Sequence, residues 1–421
     1  MPLVNQSMKW SGAISTRPSL EGAVREVVEK ARQQLQSSPD LGLVFISSAF
    51  ASEYPRLLPL IREQIAIPTL IGCSGGGVVG MTAEGKPSEI EDNSALSLSL
   101  ACLPDVKLHS FHFSIDTLPD LDSPPEAWVD LVGVPPDIHP QFILMTDPMY
   151  AGINDLLQGL DFAYPDSVKV GGVASIGSIN GSSGLFCGDR LYNEGIVGLA
   201  LSGNVVLDAI VAQGCRPIGR PYRVAEGERN ILLKLEGQDD SNSLGSVSET
   251  LRTPLEALQE IFQDLSEEDR LLAQNSLFIG VAQSSFKQNL GQGDFLIRNL
   301  IGIDPRIGAI AIAERVRLGQ RIQFHLRDAQ TSAEDLEMLL SSYQQQNNTG
   351  DSLAAAGALI FSCAGRGKGL YNEPDFDSRL FHRYLNQVPL SGFFCNGEIG
   401  PIGNTTFLHG YTSVFGICRQ P

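Results

Sequence analysis

Phe361-Ser-Cys-Ala-Gly-Arg-Gly-Lys-Gly369 gathers a thiol, a guanidinium, an amine and three glycines into one short stretch. Arg366 there can pair bidentately with a carboxylate or phosphate while the neighbouring backbone donates N–H groups. Soon after it comes Asn372-Glu-Pro-Asp-Phe-Asp-Ser378, an acidic cluster that either receives an amino group or neutralises Arg366 internally. Asp377 within it suits a helix N-cap. A second glycine-rich turn, Gly72-Cys-Ser-Gly-Gly-Gly77, bends without Cβ clashes and can present successive N–H groups to an anion; its plain alternative is a tight strand connection. Glu398 in Cys395-Asn-Gly-Glu-Ile-Gly400 and His409 in Leu408-His-Gly-Tyr-Thr412 place a carboxylate, an imidazole and a thiol in one region of sequence. Cys363 or Cys395 with His409 would make a nucleophile with its base, and a hydrogen-bonded structural histidine is the alternative.

Other chemistries are excluded by what these turns lack. The Gly72–Gly77 turn has neither the Lys-Ser/Thr ending of a phosphate loop nor a GxGxxG leading into a helix. Gly72-Cys-Ser-Gly-Gly76 satisfies GxSxG, yet glycines rather than helix formers follow it and it lacks an HGGG companion, which argues against a serine hydrolase. Seven cysteines without a CxxC pair argue against a zinc site or a disulfide framework and suit reduced thiols. No metal or cofactor is expected.

The elements that must position these residues follow one plan. Leu20–Gln36 carries Ala23, Val24, Val27, Val28, Ala31 and Leu35 at helical spacing. Leu41-Gly-Leu-Val-Phe-Ile46 is a continuous apolar run, as expected of a strand covered on both faces. A helix over Glu53–Gln64 follows, then a strand Pro68–Gly72 running into the glycine turn, then the alternating strand Asn93–Leu103. The order recurs with Gln141–Thr146, a helix Ala151–Tyr164, Val168–Gly172 and a closing strand Glu194–Leu201. It recurs again with Gly357–Phe361, a helix Asp377–Leu385, Val388–Phe394 and a closing strand Gly410–Cys418. A fourth copy is read over Asn275–Ala282, Arg306–Ala313 and Gln320–Leu326. The expected fold is α/β, with two domains of mixed sheets built from strand-helix-strand-glycine turn-strand units flanked by helices. A boundary near residue 220 follows Cys215-Arg-Pro-Ile-Gly219, and Glu236–Thr253 and Gln344–Ser352 read as loops.

Composition bounds the partners. Thirty Lys and Arg against 48 Asp and Glu give a net charge of −18, which repels polyphosphate and anionic lipid and excludes nucleic acid as a partner. No run of about 20 uncharged apolar residues is present, so membrane insertion is not expected. Met1–Trp10 lacks a charged segment leading into an apolar one, and the expected location is the cytoplasm.

Taken together, Gly72–Gly77, Gln213–Gly219, Phe361–Gly367, Glu373–Ser378, Gly392-Phe-Phe394, Gly397–Pro401 and Leu408–Thr412 resemble the FIST family across almost the whole chain. The resemblance assigns 1–220 to a FIST N-like domain and 221–421 to a FIST C-like domain. It implies a sensory module of intracellular signal transduction that binds a small ligand, of the amino-acid or small-carboxylate class. It places the pocket among Cys73, Ser74, Gly75 and Gly76, then Cys363, Gly365, Arg366 and Gly367, then Glu373 and Asp375, and finally Asn396, Glu398, His409 and Tyr411. In this reading Arg366 and the turn N–H groups hold the anionic end of the ligand, while Glu373, Asp375 or Glu398 holds the amino end. The chain has no room for a kinase, cyclase, methyl-accepting or F-box segment, so output passes to a signalling protein in trans. The alternatives are a cysteine-dependent enzyme using Cys363 or Cys395 with His409, and an interaction scaffold without ligand.

Overall fold

Every residue of the strand Leu41–Ser47 is buried, as its unbroken apolar run requires. The computed structural model describes residues 7–175, 183–237, 251–283, 287, 290, 291, 293–347 and 355–421. Two units result, one of Met1–Ala212 with Leu336–Pro421 and the other of Gln213–Asp335.

The first unit holds three mixed six-stranded sheets of identical plan. The first sheet runs Lys9–Ser15, Leu96–Cys102, Leu41–Ser47, Thr69–Gly75, Leu185–Cys187, Arg190–Tyr192. The second runs Val106–Phe113, Ile196–Gly203, Gln141–Thr146, Lys169–Val173, Glu398–Ile402, Thr405–His409. The third runs Val206–Ala212, Ser413–Arg419, Gly357–Cys363, Leu390–Cys395, Gly77–Met81, Pro87–Glu91. In each the two middle strands are parallel and every other pairing is antiparallel. The last two strands of each sheet are a hairpin borrowed from another repeat. The first repeat lends its hairpin to the third sheet, the second to the first, and the third to the second.

Alternate residues of all three sheets, among them Phe45, Cys73, Met145, Ala174, Phe361 and Cys395, meet in one shared core. The opposite faces are covered by helices: Leu20–Leu35 and Tyr54–Arg62 on the first sheet, Pro125–Val132 and Ile153–Ala163 on the second, Ala329–Asn347 and Phe376–Tyr384 on the third. Leu20–Leu35 buries the apolar positions its spacing marks out, and Ser19 caps it by accepting the Gly22 N–H at 3.1 Å.

Register identifies equivalent residues. Val44 pairs with Gly72, Leu144 with Gly171 and Ile360 with Gly392. A Cβ at those glycines would lie 1.9, 1.8 and 1.8 Å from the carbonyl oxygens of Val44, Leu144 and Ile360. The parallel strands approach too closely there for any side chain.

The second unit is a seven-stranded sheet in which every pairing is antiparallel: Cys215–Glu228, Arg321–Arg327, Leu277–Ala282, Phe295–Asp304, Ala309–Ile312, Ile231–Gly237 and Leu251–Arg252. Cys215–Glu228 also pairs with Ile231–Gly237, so the sheet closes on itself. Helices Pro254–Asp264 and Glu267–Ser276 accompany it, the first opened by a capping box between Thr253 and Glu256.

One expectation needs correcting. The fourth copy is not a copy, because among the described residues no helix joins its strands and Phe295–Asp304 comes between the first two of them. The two compact units do not follow the order of the chain. Ser413–Arg419 pairs with both Val206–Ala212 and Gly357–Cys363, which returns the end of the chain to the first unit. Of the segments read as loops, 238–250 and 348–352 lie outside the described residues.

Replacing Gly72, Gly171 or Gly392 by Ala forces apart a buried parallel pair and should cost about 3 kcal/mol or more, at the upper end of overpacking penalties. Gly302→Ala, where a Cβ meets nothing, should stay within about 0.5 kcal/mol. Urea unfolding of the four variants checks this, and near-neutral effects at the three paired glycines would refute the equivalence.

Candidate functional site

The carboxyl ends of the parallel strands are where chains cross from one sheet to the next. Strand Thr69–Gly75 continues through Gly76 into Gly77–Met81 of the third sheet. None of Gly75, Gly76 and Gly77 is left-handed. The Gly76 N–H donates to Ser175 Oγ at 2.6 Å, and that hydroxyl in turn donates to the Phe394 carbonyl. One serine therefore joins the crossing segments of all three repeats. Ser74 accepts the Gly184 N–H at 3.0 Å, and Cys73 is fully buried, which pushes its thiol well above the usual range. This turn is a sheet crossing whose Gly76 N–H is already engaged by protein.

Beyond strand Gly357–Cys363 the sequence Ala-Gly-Arg-Gly enters a short helix, Gly367–Tyr371. Gly367 is left-handed, with φ 55°, and a Cβ there would meet the Glu91 carboxylate. Arg366 is 0% exposed. Its Nε and Nη2 grip Asp377 at 2.8 and 3.0 Å, and Nη2 also donates to the Tyr371 hydroxyl at 2.6 Å. Burial opposes the guanidinium charge, but Asp377 outweighs it and holds Arg366 protonated. The acidic cluster thus neutralises Arg366 internally through Asp377, which lies in the first turn of Phe376–Tyr384. Nη1 of Arg366 has no hydrogen-bond partner among the described residues.

Asp375 of the cluster and two carboxylates of the borrowed hairpin, Glu89 and Glu91, latch that hairpin in place. Asp375 accepts the Glu89 N–H at 2.5 Å and the Ser88 hydroxyl at 3.1 Å. Glu89 accepts the Ser378 N–H at 2.7 Å, and Glu91 accepts that of Lys368 at 2.9 Å. Glu89 is buried, its Oε2 has no partner among the described residues, and burial with the nearby Asp377 carboxylate raises its pKa to about 8. Glu89, Glu91 and Tyr371 were not anticipated. Their one local signal is the alternation of Glu89 and Glu91 on a short strand, which turns both to one face.

Cys363 and Cys395 are direct partners across the parallel ladder. The Gly365 N–H points at Cys363 Sγ from 3.4 Å. Cys395 is fully buried, and burial with Glu398 nearby pushes its thiol well above the usual range, opposite to what an activated nucleophile needs. Glu398 pairs in register with His409 and accepts the Thr412 N–H at 3.0 Å. His409 is buried and its Nε2 engages the Gly400 carbonyl at 3.0 Å. Asn396 is exposed, with its N–H on the Val173 carbonyl, and Tyr411 is half-buried and left-handed. Glu373 lies apart from Arg366, half-exposed in a surface pair with Arg379 at 2.9 Å.

Equivalent positions in the three repeats sharpen this picture. Ser47, Asp147 and Cys363 end the middle strands, and their N–H groups donate to Ala95, Gly195 and Thr412 at 2.9, 3.0 and 3.0 Å. In the first two repeats the side chain returns the bond, Ser47 Oγ accepting from Ala95 at 2.9 Å and Asp147 Oδ2 from Gly195 at 2.5 Å. In the third, Glu398 takes the Thr412 N–H.

Among the described residues no three His, Cys, Asp or Glu are grouped to hold a metal, and no helix is long and apolar enough to cross a membrane. A surface groove of about 1020 Å³ lined by Arg32, Gln36, Arg62 and Gln64 takes in none of the residues above.

Known proteins match along this whole architecture. The family model of the FIST N domain matches residues 40–238 and that of the FIST C domain matches 254–401. The uncharacterized protein Rv0628c of Mycobacterium tuberculosis (strain ATCC 25618 / H37Rv) is 31% identical over 407 residues, 96% of this chain and 98% of the relative. The uncharacterized protein Mb0898c of Mycobacterium bovis is 32% identical, covering 96% and 97%.

A buried carboxyl that holds its proton when folded loses it when unfolded, so Glu89 favours folding at low pH and progressively less as pH rises from the usual carboxylate range to about 8. The urea midpoint of the wild type should therefore fall relative to that of Glu89→Gln between pH 5 and pH 8.5. Parallel pH profiles for the two proteins would show that Glu89 is not the proton carrier.

Proposed function

The chain belongs to the FIST family, whose domains are generally associated with sensing in signal transduction, and on that premise we propose that it is a small-ligand sensor for an amino acid or a related small carboxylate. The observation that carries this reading is a pair of orphaned buried polar atoms in one cluster, a guanidinium nitrogen and a carboxyl oxygen. Arg366 Nη1 and Glu89 Oε2 both lack partners among the described residues while the rest of each group is engaged. A buried guanidinium N–H or carboxylate oxygen left unpaired is costly, so a ligand that satisfies both gains more than its contact area implies. An amino acid supplies a carboxylate for Nη1 and an ammonium for Oε2.

Cys363, Gly365, Arg366, Gly367 and Asp375 stand in this proposed site together with Glu89, Tyr371 and Asp377. Glu373, committed to Arg379 on the surface, is left out. Entry is past the short helix Gly367–Tyr371, which covers Arg366 and is held by the Tyr371 hydroxyl and by Lys368 N–H on Glu91. Lifting that one turn exposes both orphan atoms and frees the edge of the borrowed hairpin, which gives ligand occupancy a structural consequence to pass to a signalling partner in trans.

Native mass spectrometry of the purified chain, followed by a thermal-shift panel of amino acids and small carboxylates, tests the reading. A ligand at about 100 times its Kd adds about 2.7 kcal/mol of stability. Glu89→Gln should weaken an amino acid more than the same carboxylate lacking its amine. An empty native spectrum together with no shift from any member of the panel would overturn the proposal.

A further inference from the structure

The third repeat departs from its siblings in a way that concerns sulfur rather than the ligand. Where Ser47 and Asp147 end their middle strands, the third repeat carries Cys363, and its partner across the parallel ladder is Cys395. Their counterparts in the first repeat are Ser47 and Gly75. Directly paired residues of neighbouring strands project to the same face with backbones about 4.8 Å apart, which falls inside the Cα range that a disulfide spans. The face is the inner one, shared with Leu359, Phe361 and Phe393. The capping duty that Ser47 and Asp147 perform is carried by Glu398, so cross-linking Cys363 would break no such bond.

The two thiols are unlike, as an attacking and a resolving thiol should be. Cys363 is partly exposed and Cys395 is fully buried. A backbone N–H is aimed at Cys363 Sγ, and the Arg366 guanidinium is an electrostatic neighbour of the same sulfur. Such donors favour the thiolate, the form that attacks an oxidant. The other partly exposed cysteines, Cys102 and Cys187, have their thiols pushed up by burial and then by a carboxylate beside each, Asp40 and Asp189.

We propose that Cys363 and Cys395 are a hydroperoxide-responsive dithiol pair. The Cys363 thiolate attacks the terminal peroxide oxygen, forming an S–O bond as the O–O bond breaks, and the leaving alkoxide departs as an alcohol, or as water from hydrogen peroxide. The Cys395 sulfur then displaces hydroxide from the sulfenic acid, and the hydroxide leaves as water with the thiol proton. Two thiols give up two electrons and the peroxide bond takes them. A small dithiol restores the reduced pair.

Reduced full-length protein treated with stoichiometric hydrogen peroxide, then alkylated under denaturing conditions and peptide-mapped, decides the matter. The expected result is that two of the seven thiols escape alkylation, the mass falls by two hydrogens, a linked peptide joins Cys363 to Cys395, and dithiothreitol reverses all three. Cys395→Ala, checked for native circular dichroism, should instead leave a sulfenic acid at Cys363 that dimedone traps. Seven alkylated thiols in the wild type, oxidation confined to Cys102 or Cys187, or over-oxidised Cys363 beside an alkylated Cys395 would each overturn the proposal. The wild-type map stands even if the variant fails to fold.

Discussion

No repeat of the first unit can complete its own sheet, and the rest of the structure follows from that constraint. Each parallel pair ends at an edge whose N–H and C=O groups would otherwise face water or another chain. The edge at Leu390–Cys395 is covered by Gly77–Met81, that at Thr69–Gly75 by Leu185–Cys187, and that at Lys169–Val173 by Glu398–Ile402. Three crossing segments must therefore pass close to one another, and small residues and one hydroxyl make this possible. Ser175 takes the Gly76 N–H and gives its own proton to Phe394, so that crossings from separate repeats share a single polar atom. Gly75 lies against Phe393 and the Gly77 carbonyl, so close that even a Cβ there would clash.

The same exchange explains the buried charge. A hairpin that arrives from elsewhere in the chain must be held at its outer side, and acidic side chains on the local helix supply that grip. Asp161 accepts the N–H and hydroxyl of Thr406 at 2.6 and 2.8 Å, and Lys169, itself buried, balances it at 2.9 Å. In the third sheet Asp375 accepts from the Ser88 hydroxyl and the Glu89 N–H, and Glu89 accepts from the Ser378 N–H. There, however, Asp377 has a bidentate guanidinium partner while the neighbouring Glu89 carboxyl has none. Glu89 keeps a proton in compensation, since two buried carboxylates near one another cannot both ionise cheaply.

How much of this was legible in the sequence depends on distance along the chain. The middle strands and the helix Leu20–Leu35 could be read because burial on both faces, or on one helical stripe, is written in a few consecutive residues. The outer strands Lys9–Ser15, Val106–Phe113 and Val206–Ala212 were missed, the second of them because Lys107 and His109 on one face and Ser110 on the other break its apolar alternation. The exchange itself leaves no local trace: Ser378 and Glu89 are 289 residues apart, and nothing near either names the other. Arg366 and the acidic cluster were recognisable as possible internal partners because they lie close in sequence, but Asp377, read as a helix N-cap, stands inside the first turn and is the residue that pairs, 11 positions from Arg366. The antiparallel sheet of the second unit was misread for a related reason, since short apolar strands look alike until their connections are known.

Repetition also locates the departure from it. Three residues beyond Ser47, Asp147 and Cys363 stand Phe50, Tyr150 and Arg366, all buried. Phe50 and Tyr150 pack into the outer apolar cores of their sheets. The fold therefore has an apolar solution for this position and uses it twice. A buried ion pair is seldom more stabilising than well-packed apolar side chains in the same space, because desolvation of both charges offsets most of their attraction. Packing alone gives no reason for the third sheet, with its borrowed hairpin, to hold a guanidinium, a carboxylate, an orphaned nitrogen and a second acid with an orphaned oxygen. The ion pair stands at the carboxyl end of a parallel pair, the end where α/β sheets collect their ligands, and the same repeat puts paired thiols on the face behind it.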